Sequence, residues 1–284
     1  MLKSQLPMNE HYAGLYSVMQ NIPYCHDSKG PEQTLDLIVP WQVSLEDPTD
    51  KTYPLIVFVQ GSGWQLADNG FEVVQLAEMA KKGYIVAMVR HRNAFKNNPF
   101  PDYLMDVKCA IRFLRANAKK YCINPEQVIG LGTSSGGNAV QLVGLTADDP
   151  QYETSDYSDF SDKVDVVISC FGVSNVVAIK DQAEFVEVTQ KLENSRYSNT
   201  LEQMSPFFQV RPGRNYPPFL LMHGSEDTLV PYNQMPEMAL RLDSDGYEVE
   251  TVTVVGADHE SNFWSQQVWD KILNFITTHL PVKQ

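Results

Sequence analysis

The chain has 284 residues, 43% of them hydrophobic and 20% charged, a composition that fills a sizeable core and excludes intrinsic disorder. Its formal net charge of −13 argues against nucleic acid as a partner, because such binding rests on Lys and Arg neutralising phosphates. No apolar run reaches the roughly 20 residues of a membrane span, so no membrane partner is expected either.

Met1 to Pro7 lacks the apolar stretch and small-residue cleavage site of a secretory signal. A cytoplasmic location is the expectation, although a chain whose signal had been removed would read the same. Cys25, Cys109, Cys122 and Cys170 show neither C-x-x-C spacing nor a histidine at metal-ligand distance. They read as reduced, structural residues, with Cys109 and Cys170 in apolar stretches.

The elements alternate. Gln33 to Val39 reads as an early antiparallel strand, and Pro54 to Gln60 as a strand covered on both faces. Phe71 to Lys82 is a helix and Tyr84 to Arg90 a buried strand. From Tyr103 to Lys119, the apolar residues Val107, Ile111, Leu114 and Ala118 mark one buried helix face. Gln127 to Leu131 is a strand and Gly136 to Leu145 a helix; Asp148 to Asp162 is an acidic surface loop. Val164 to Cys170 and Pro218 to His223 are strands, Gln234 to Asp243 a helix, Val249 to Val255 a strand, and Asn262 to His279 the last helix. This rhythm predicts a mostly parallel central sheet covered by helices on both faces. It predicts one domain over residues 1–284. The stretch 173–216 has helical pattern but no strand, and follows a strand's carboxyl end, so it reads as a small cap-like insertion over the ligand crevice.

Gly132-Thr133-Ser134-Ser135-Gly136 fits G-x-S-x-G where a strand ends and a helix begins. There the serine is lifted above the sheet on a strained turn, and glycines relieve the crowding around it. Ser134 is the candidate nucleophile, and the Ser135 amide can face a substrate carbonyl. With the chain order Ser, acid, His, the histidine is His223, His259 or His279. His259 lies in the loop after Val249–Val255, where a base can reach the serine; His223 can orient its own loop, and His279 suits a helix C-terminus. Asp227 and Glu226 are the acids just past the strand that ends at His223, whereas Asp258 and Glu260 are too close to His259 in sequence to reach round its ring. Gln60-Gly61-Ser62-Gly63-Trp64 also follows a strand end. The Gly61 and Ser62 amides are candidate oxyanion donors beside that of Ser135, and Trp64 is the candidate wall of a substrate pocket.

From about Asn21 to Leu280 the chain resembles the α/β-hydrolase esterases of the acetyl esterase/feruloyl esterase-like (BD-FAE-like) group, and is similar also to arylformamidases. The resemblance rests on Ile22-Pro23-Tyr24 and Leu35-Asp36-Leu37, on Asp106-Val107-Lys108 with Ile111-Arg112-Phe113-Leu114-Arg115-Ala116-Asn117, and on Gly132 to Gly137. It rests also on His223-Gly224 through Asp227 to Val230-Pro231, and on Gly256 through His259. It implies the α/β-hydrolase fold and selects Asp227 over Glu226 as the acid. Gln60 and Ser62 depart from the group's H-G-G-G-W. Gln60 replaces a His that braces the oxyanion loop, and Ser62 is strained if its position needs φ > 0. Asp258, where Gly is common, adds negative charge beside the base.

The expected function is a serine carboxylic-ester hydrolase with a small-molecule ester substrate of short or aromatic acyl groups, some carbohydrate-linked. No metal or organic cofactor is implied, and nothing in the sequence sets an oligomeric state. An amidase, arylformamidase or peptidase would use the same three residues. A catalytically inactive binding protein of this fold tends to have lost one of them, and here all three are present.

Overall fold

A computed structural model describes residues 4–5, 16–26, 31–40, 51–193 and 199–281. In chain order the strands are β1 Tyr16–Pro23, β2 Thr34–Pro40, β3 Tyr53–Val59, β4 Ile85–Val89, β5 Ile123–Thr133, β6 Val166–Cys170, β7 Phe219–Gly224 and β8 Val249–Val254. The helices are α1 Val73–Lys81, α2 Asp102–Ala116, α3 Ser134–Leu145, α4 Val176–Ile179, α5 Val186–Glu193, α6 Thr200–Gln203, α7 Pro206–Gln209, α8 Gln234–Ser244 and α9 Gln266–His279. None among the described residues is long and apolar enough to cross a membrane.

The strands form one sheet in the order β1-β2-β4-β3-β5-β6-β7-β8. β2 runs antiparallel to β1 and β4, and every pairing from β4 to β8 is parallel. Period-two alternation builds the two faces. Leu55, Val57 and Val59 of β3 join Leu104 and Val107 of α2 and Met238 of α8 on one face. Ile56 and Phe58 join Leu76 of α1 and Ile272 of α9 on the other. Both faces are covered, so the central strands are continuously apolar, as the sequence predicts.

Several elements differ from expectation; β5, for one, begins at Ile123 and not at Gln127. β1 has no counterpart in the sequence reading: its register slips between Met19 and Ile22, and Asn21 lies at φ 57°, which breaks the alternation that marks a strand. The elbow helix begins at Ser134, earlier than Gly136. The last helix begins at Gln266 because Ser265 caps it, its hydroxyl accepting the Val268 N–H at 3.3 Å; a 3₁₀ turn, Ser261–Phe263, precedes it.

Among the described residues, four short helices, α4 to α7, run between β6 and β7. Phe185, Leu192, Leu201 and Met204 from this stretch are buried in the same core as β3 and α2. Tyr197, an aromatic of the expected cap, lies outside the described residues. Of the expected structural cysteines, Cys109, Cys122 and Cys170 are buried and Cys25 is half-buried; all four are free, with Cys25 Sγ 3.6 Å from Cys109 Sγ.

The parallel strands β3, β5, β6, β7 and β8 end on one edge of the sheet. Gly61, Ser134, Asp227 and His259 all follow those ends in sequence.

Candidate active site

Ser134 stands at the junction of β5 and α3 with φ 51°, in the left-handed region that a side chain rarely occupies. Close approach of backbone holds it there. A Cβ added to Gly136 would lie 1.9 Å from the Val59 carbonyl oxygen, and one on Gly132 would lie 2.3 Å from the Gly136 carbonyl oxygen. Only glycine fits either position. The end of β3 is thereby pressed against the elbow, and a Cβ on Gly61 would sit 2.7 Å from Ser134 Cβ.

His259 Nε2 lies 3.2 Å from Ser134 Oγ, and His259 Nδ1 lies 2.8 Å from Asp227 Oδ2. An ionised carboxylate only accepts, so Nδ1 carries the ring proton and Nε2 is free to accept from the serine hydroxyl. The Asp227 side chain has no exposed surface. Burial raises its pKa, but hydrogen bonds from His223 and His259, the charge of His259 and the Val230 N–H outweigh it, holding the carboxyl well below the ordinary range. Asp227 Oδ1 also accepts the Leu229 and Val230 N–H groups at 2.9 and 2.8 Å.

His223 proves to be part of this arrangement. It is buried, and its Nε2 lies 3.1 Å from Asp227 Oδ2 and 2.9 Å from the Val230 carbonyl oxygen. Both neighbours are acceptors, so Nε2 is protonated and donates. The rival acid Glu226 is exposed. Asp258 joins the two loops: its Oδ1 accepts the Thr228 N–H, the Thr228 hydroxyl and the His259 N–H. Phe171 packs edge-on against the His259 ring, centroids 4.7 Å apart.

The oxyanion loop departs from expectation. The Gly61 N–H donates to Thr133 Oγ1 at 2.8 Å, and Thr133 is fully buried. Gly61 therefore ties the loop to the elbow and has no donor left for an oxyanion. The Ser62 N–H donates to Ser135 Oγ at 2.9 Å, so it reaches an oxyanion only by leaving that hydroxyl. The Ser135 N–H, in the first turn of α3, has no partner within its helix. Ser62 itself lies outside the left-handed region; the strained residue of this loop is Trp64, at φ 59°.

Trp64 is 1% exposed, and a side chain without surface lines no pocket. Its role as a substrate wall is corrected to that of an internal strut: the indole N–H donates to Asn138 Oδ1 at 3.2 Å. Asn138 was not singled out by sequence, yet it is the hub here. Its Oδ1 also accepts the Tyr103 hydroxyl, and its Nδ2 donates to the Val173 and Met204 carbonyls, each at 2.8 Å. One buried amide thus joins the oxyanion loop, α2, α3 and the insertion. Gln60, where the group has a bracing His, is buried, and its Oε1 has no hydrogen-bond partner among the described residues.

The sequence model of the BD-FAE family matches residues 41–242. The chain belongs to the BD-FAE family, a group of α/β-hydrolase esterases. It is 31% identical to Esterase LipC of Mycobacterium tuberculosis over 75% of this chain and 52% of that protein. It is 22% identical to the isoprenylcysteine alpha-carbonyl methylesterase ICME of Arabidopsis thaliana, over 82% of this chain and 55% of that one. The chain spans about half the length of these curated relatives. Among solved structures, a truncated carbohydrate esterase from gut microbiota has a TM-score of 0.81 at 24% identity, covering 93% of this chain and 96% of that one. A bifunctional GH43-CE protein of Bacteroides eggerthii reaches 0.79 at 26% identity, over 93% of this chain and 38% of that one. The fold of this BD-FAE member is that of the α/β-hydrolases.

The glycine frame of the elbow is open to a direct test. Gly136→Ala should destabilise the protein at or above the top of the ~1–3 kcal/mol range for overpacking, because the new methyl meets backbone and not a movable side chain. Urea denaturation measures this, and a loss well below ~1 kcal/mol would show that the elbow has room to relax.

Proposed function

We propose that this chain is a serine carboxylic-ester hydrolase that works through an acyl-enzyme. The observation that carries the reading is the unbroken path from Ser134 Oγ to His259 to Asp227, at 3.2 and 2.8 Å.

Each step follows from the atoms present. His259 Nε2 takes the Ser134 proton as Oγ attacks the acyl carbon. The imidazolium that forms is stabilised by Asp227, which its two histidines and two backbone N–H groups keep ionised. The tetrahedral oxyanion is held by the Ser135 N–H at the α3 N-terminus, with the Ser62 N–H turning to it from Ser135 Oγ. His259 then gives its proton to the leaving alcohol oxygen, and the C–O bond of the ester breaks. Water repeats the sequence on the acyl-serine: His259 takes its proton, the acid leaves, and the proton returns to Ser134.

The substrate is a small ester. The segment 173–216 acts as a cap of the single hydrolase domain, and Asn138 and Gln234 hold it down, the latter accepting the Ser174 and Asn175 N–H groups at 2.9 and 2.7 Å. Most of its large apolar side chains are buried in the core, which leaves few to line a long-chain tunnel. Short or aromatic acyl groups fit this better than fatty acyl chains. Sugar-linked esters fall within the proposal, since the two structural relatives above are a carbohydrate esterase and a GH43-CE protein.

Two measurements check these points. Asp227→Asn should lower kcat on p-nitrophenyl acetate by up to about 10⁴, through the wrong imidazole tautomer, while Glu226→Gln changes little; the reverse ranking would move the acid to Glu226. Across p-nitrophenyl esters below their micelle thresholds, kcat/KM should fall from acetyl and butyryl to dodecanoyl. A rise with chain length would replace the short-acyl reading with a lipase.

A further inference from the structure

Glu72 stands at the N-cap position of α1 without a capping hydrogen bond and is 2% exposed, and neither of its carboxyl oxygens has a hydrogen-bond partner among the described residues. An ionised carboxylate buried without donors costs several kcal/mol, so such a group takes up a proton instead. The groups that act on it are the Glu260 carboxyl, from the residue after the candidate base, and the Thr133 hydroxyl, from the residue before the candidate nucleophile. The Cys170 thiol at the end of β6 feels both glutamates; burial first, and then their charges, push it well up, so it stays neutral. The charged residues of α1, Glu78 and Lys81, pair with each other. No cation stands among the groups acting on Glu72.

Two carboxyls that hydrogen-bond with no cation acting on them share one proton. Glu72 is the more buried of the two. Burial, and then the charge of Glu260, push its carboxyl up to about 9. Near neutral pH it is therefore a donor, and the acceptor in front of it is Glu260.

Glu260 needs such a partner. Its backbone lies at φ 66°, ψ −97°, a strained region for a side chain that persists only where the surroundings hold it. Its Oε1 accepts the Trp264 indole N–H at 3.3 Å, and the peptide before it carries His259. Thr133, whose hydroxyl also acts on Glu72, accepts the Gly61 N–H. The oxyanion loop, the elbow and the histidine loop thus converge on one carboxyl at the head of α1.

We propose that Glu72 is a positioning residue: its neutral carboxyl donates to Glu260 and holds the histidine loop so that His259 Nε2 stays within reach of Ser134. The inference rests on His259 being the base.

The test compares Glu72→Gln, which keeps a neutral donor, with Glu72→Ala, which removes it. At neutral pH, E72Q should keep most of the wild-type kcat. E72A should lose about 10²-fold in kcat with KM little changed, because a misplaced base impairs chemistry and not binding. Wild-type kcat should fall as the pH passes about 9, and E72Q should lack that fall. Stability gives a readout free of activity. The folded state holds a proton that the unfolded chain releases in the ordinary carboxylate range, so this stabilisation is full at acid pH and lost as the pH rises towards about 9. The Tm of E72Q relative to wild type should therefore climb between about pH 6 and 9. The proton NMR resonance of His259 Nδ1–H on Asp227 should persist in E72Q and disappear in E72A. A pH-independent Tm difference, an E72Q as impaired as E72A, or an E72A that keeps both resonance and kcat would overturn the proposal. If the wild type hydrolyses no ester, the esterase reading fails, while the resonance and the Tm difference still decide the role of Glu72 in placing the loop.

Discussion

Backbone crowding around Ser134 sets the geometry of everything near it. At φ 51° the serine sits in a conformation that costs an L-residue roughly 1–2 kcal/mol. It stays there because the end of β3, the last residues of β5 and the first turn of α3 leave no space between their main chains. Gly136 lies against the Val59 carbonyl, Gly132 against Gly136, and Gly61 against Ser134 itself. The same closeness brings the Gly61 N–H onto Thr133 Oγ1 and the Ser62 N–H onto Ser135 Oγ. The loop from Gln60 to Trp64 is therefore laced to the end of β5 and the start of α3 by side-chain hydroxyls. Its donors and the Ser134 hydroxyl are placed by one set of contacts.

The acids of the site are sorted by the donors within their reach. Asp227 receives two histidines and two backbone N–H groups and is kept ionised. Glu72, as buried as a carboxyl can be, meets no cation and another acid, and keeps its proton. Asp258 uses its charge on backbone and hydroxyl donors that link the acid loop to the histidine loop. In a chain of net charge −13, the role of each carboxylate is thus set locally, by hydrogen-bond supply and not by the overall field.

Much of this was legible in the sequence because it depends on local pattern. The elbow needs glycines at fixed offsets from the serine, and G-T-S-S-G supplies them between a strand and a helix. The apolar runs of β3, β4, β6 and β7 mark strands covered on both faces, and the chain order from Ser134 to Asp227 to His259 follows the strand ends. What was not legible depends on contacts distant in sequence. The indole of Trp64 turns inward because Asn138, 74 residues away, accepts its N–H. Gly61 loses its donor to Thr133, which a G-S-G loop does not announce. His223 looked like a strand terminus and touches Asp227 only because β7 turns back at Gly224. Nothing in F-E-V-V marks Glu72 as more than a surface residue at a helix start. β1 escaped because a bulge interrupts its alternation.

The central claim is that Ser134 forms the covalent acyl-enzyme, and mass spectrometry tests it most directly. Wild-type protein quenched in acid during turnover of p-nitrophenyl butyrate should carry one butyryl group on the peptide containing Ser134, preceded by a burst of nitrophenol. Ser134→Ala should show neither the adduct nor the burst while remaining folded. An acyl group on another residue, or turnover that persists in Ser134→Ala, would contradict the account.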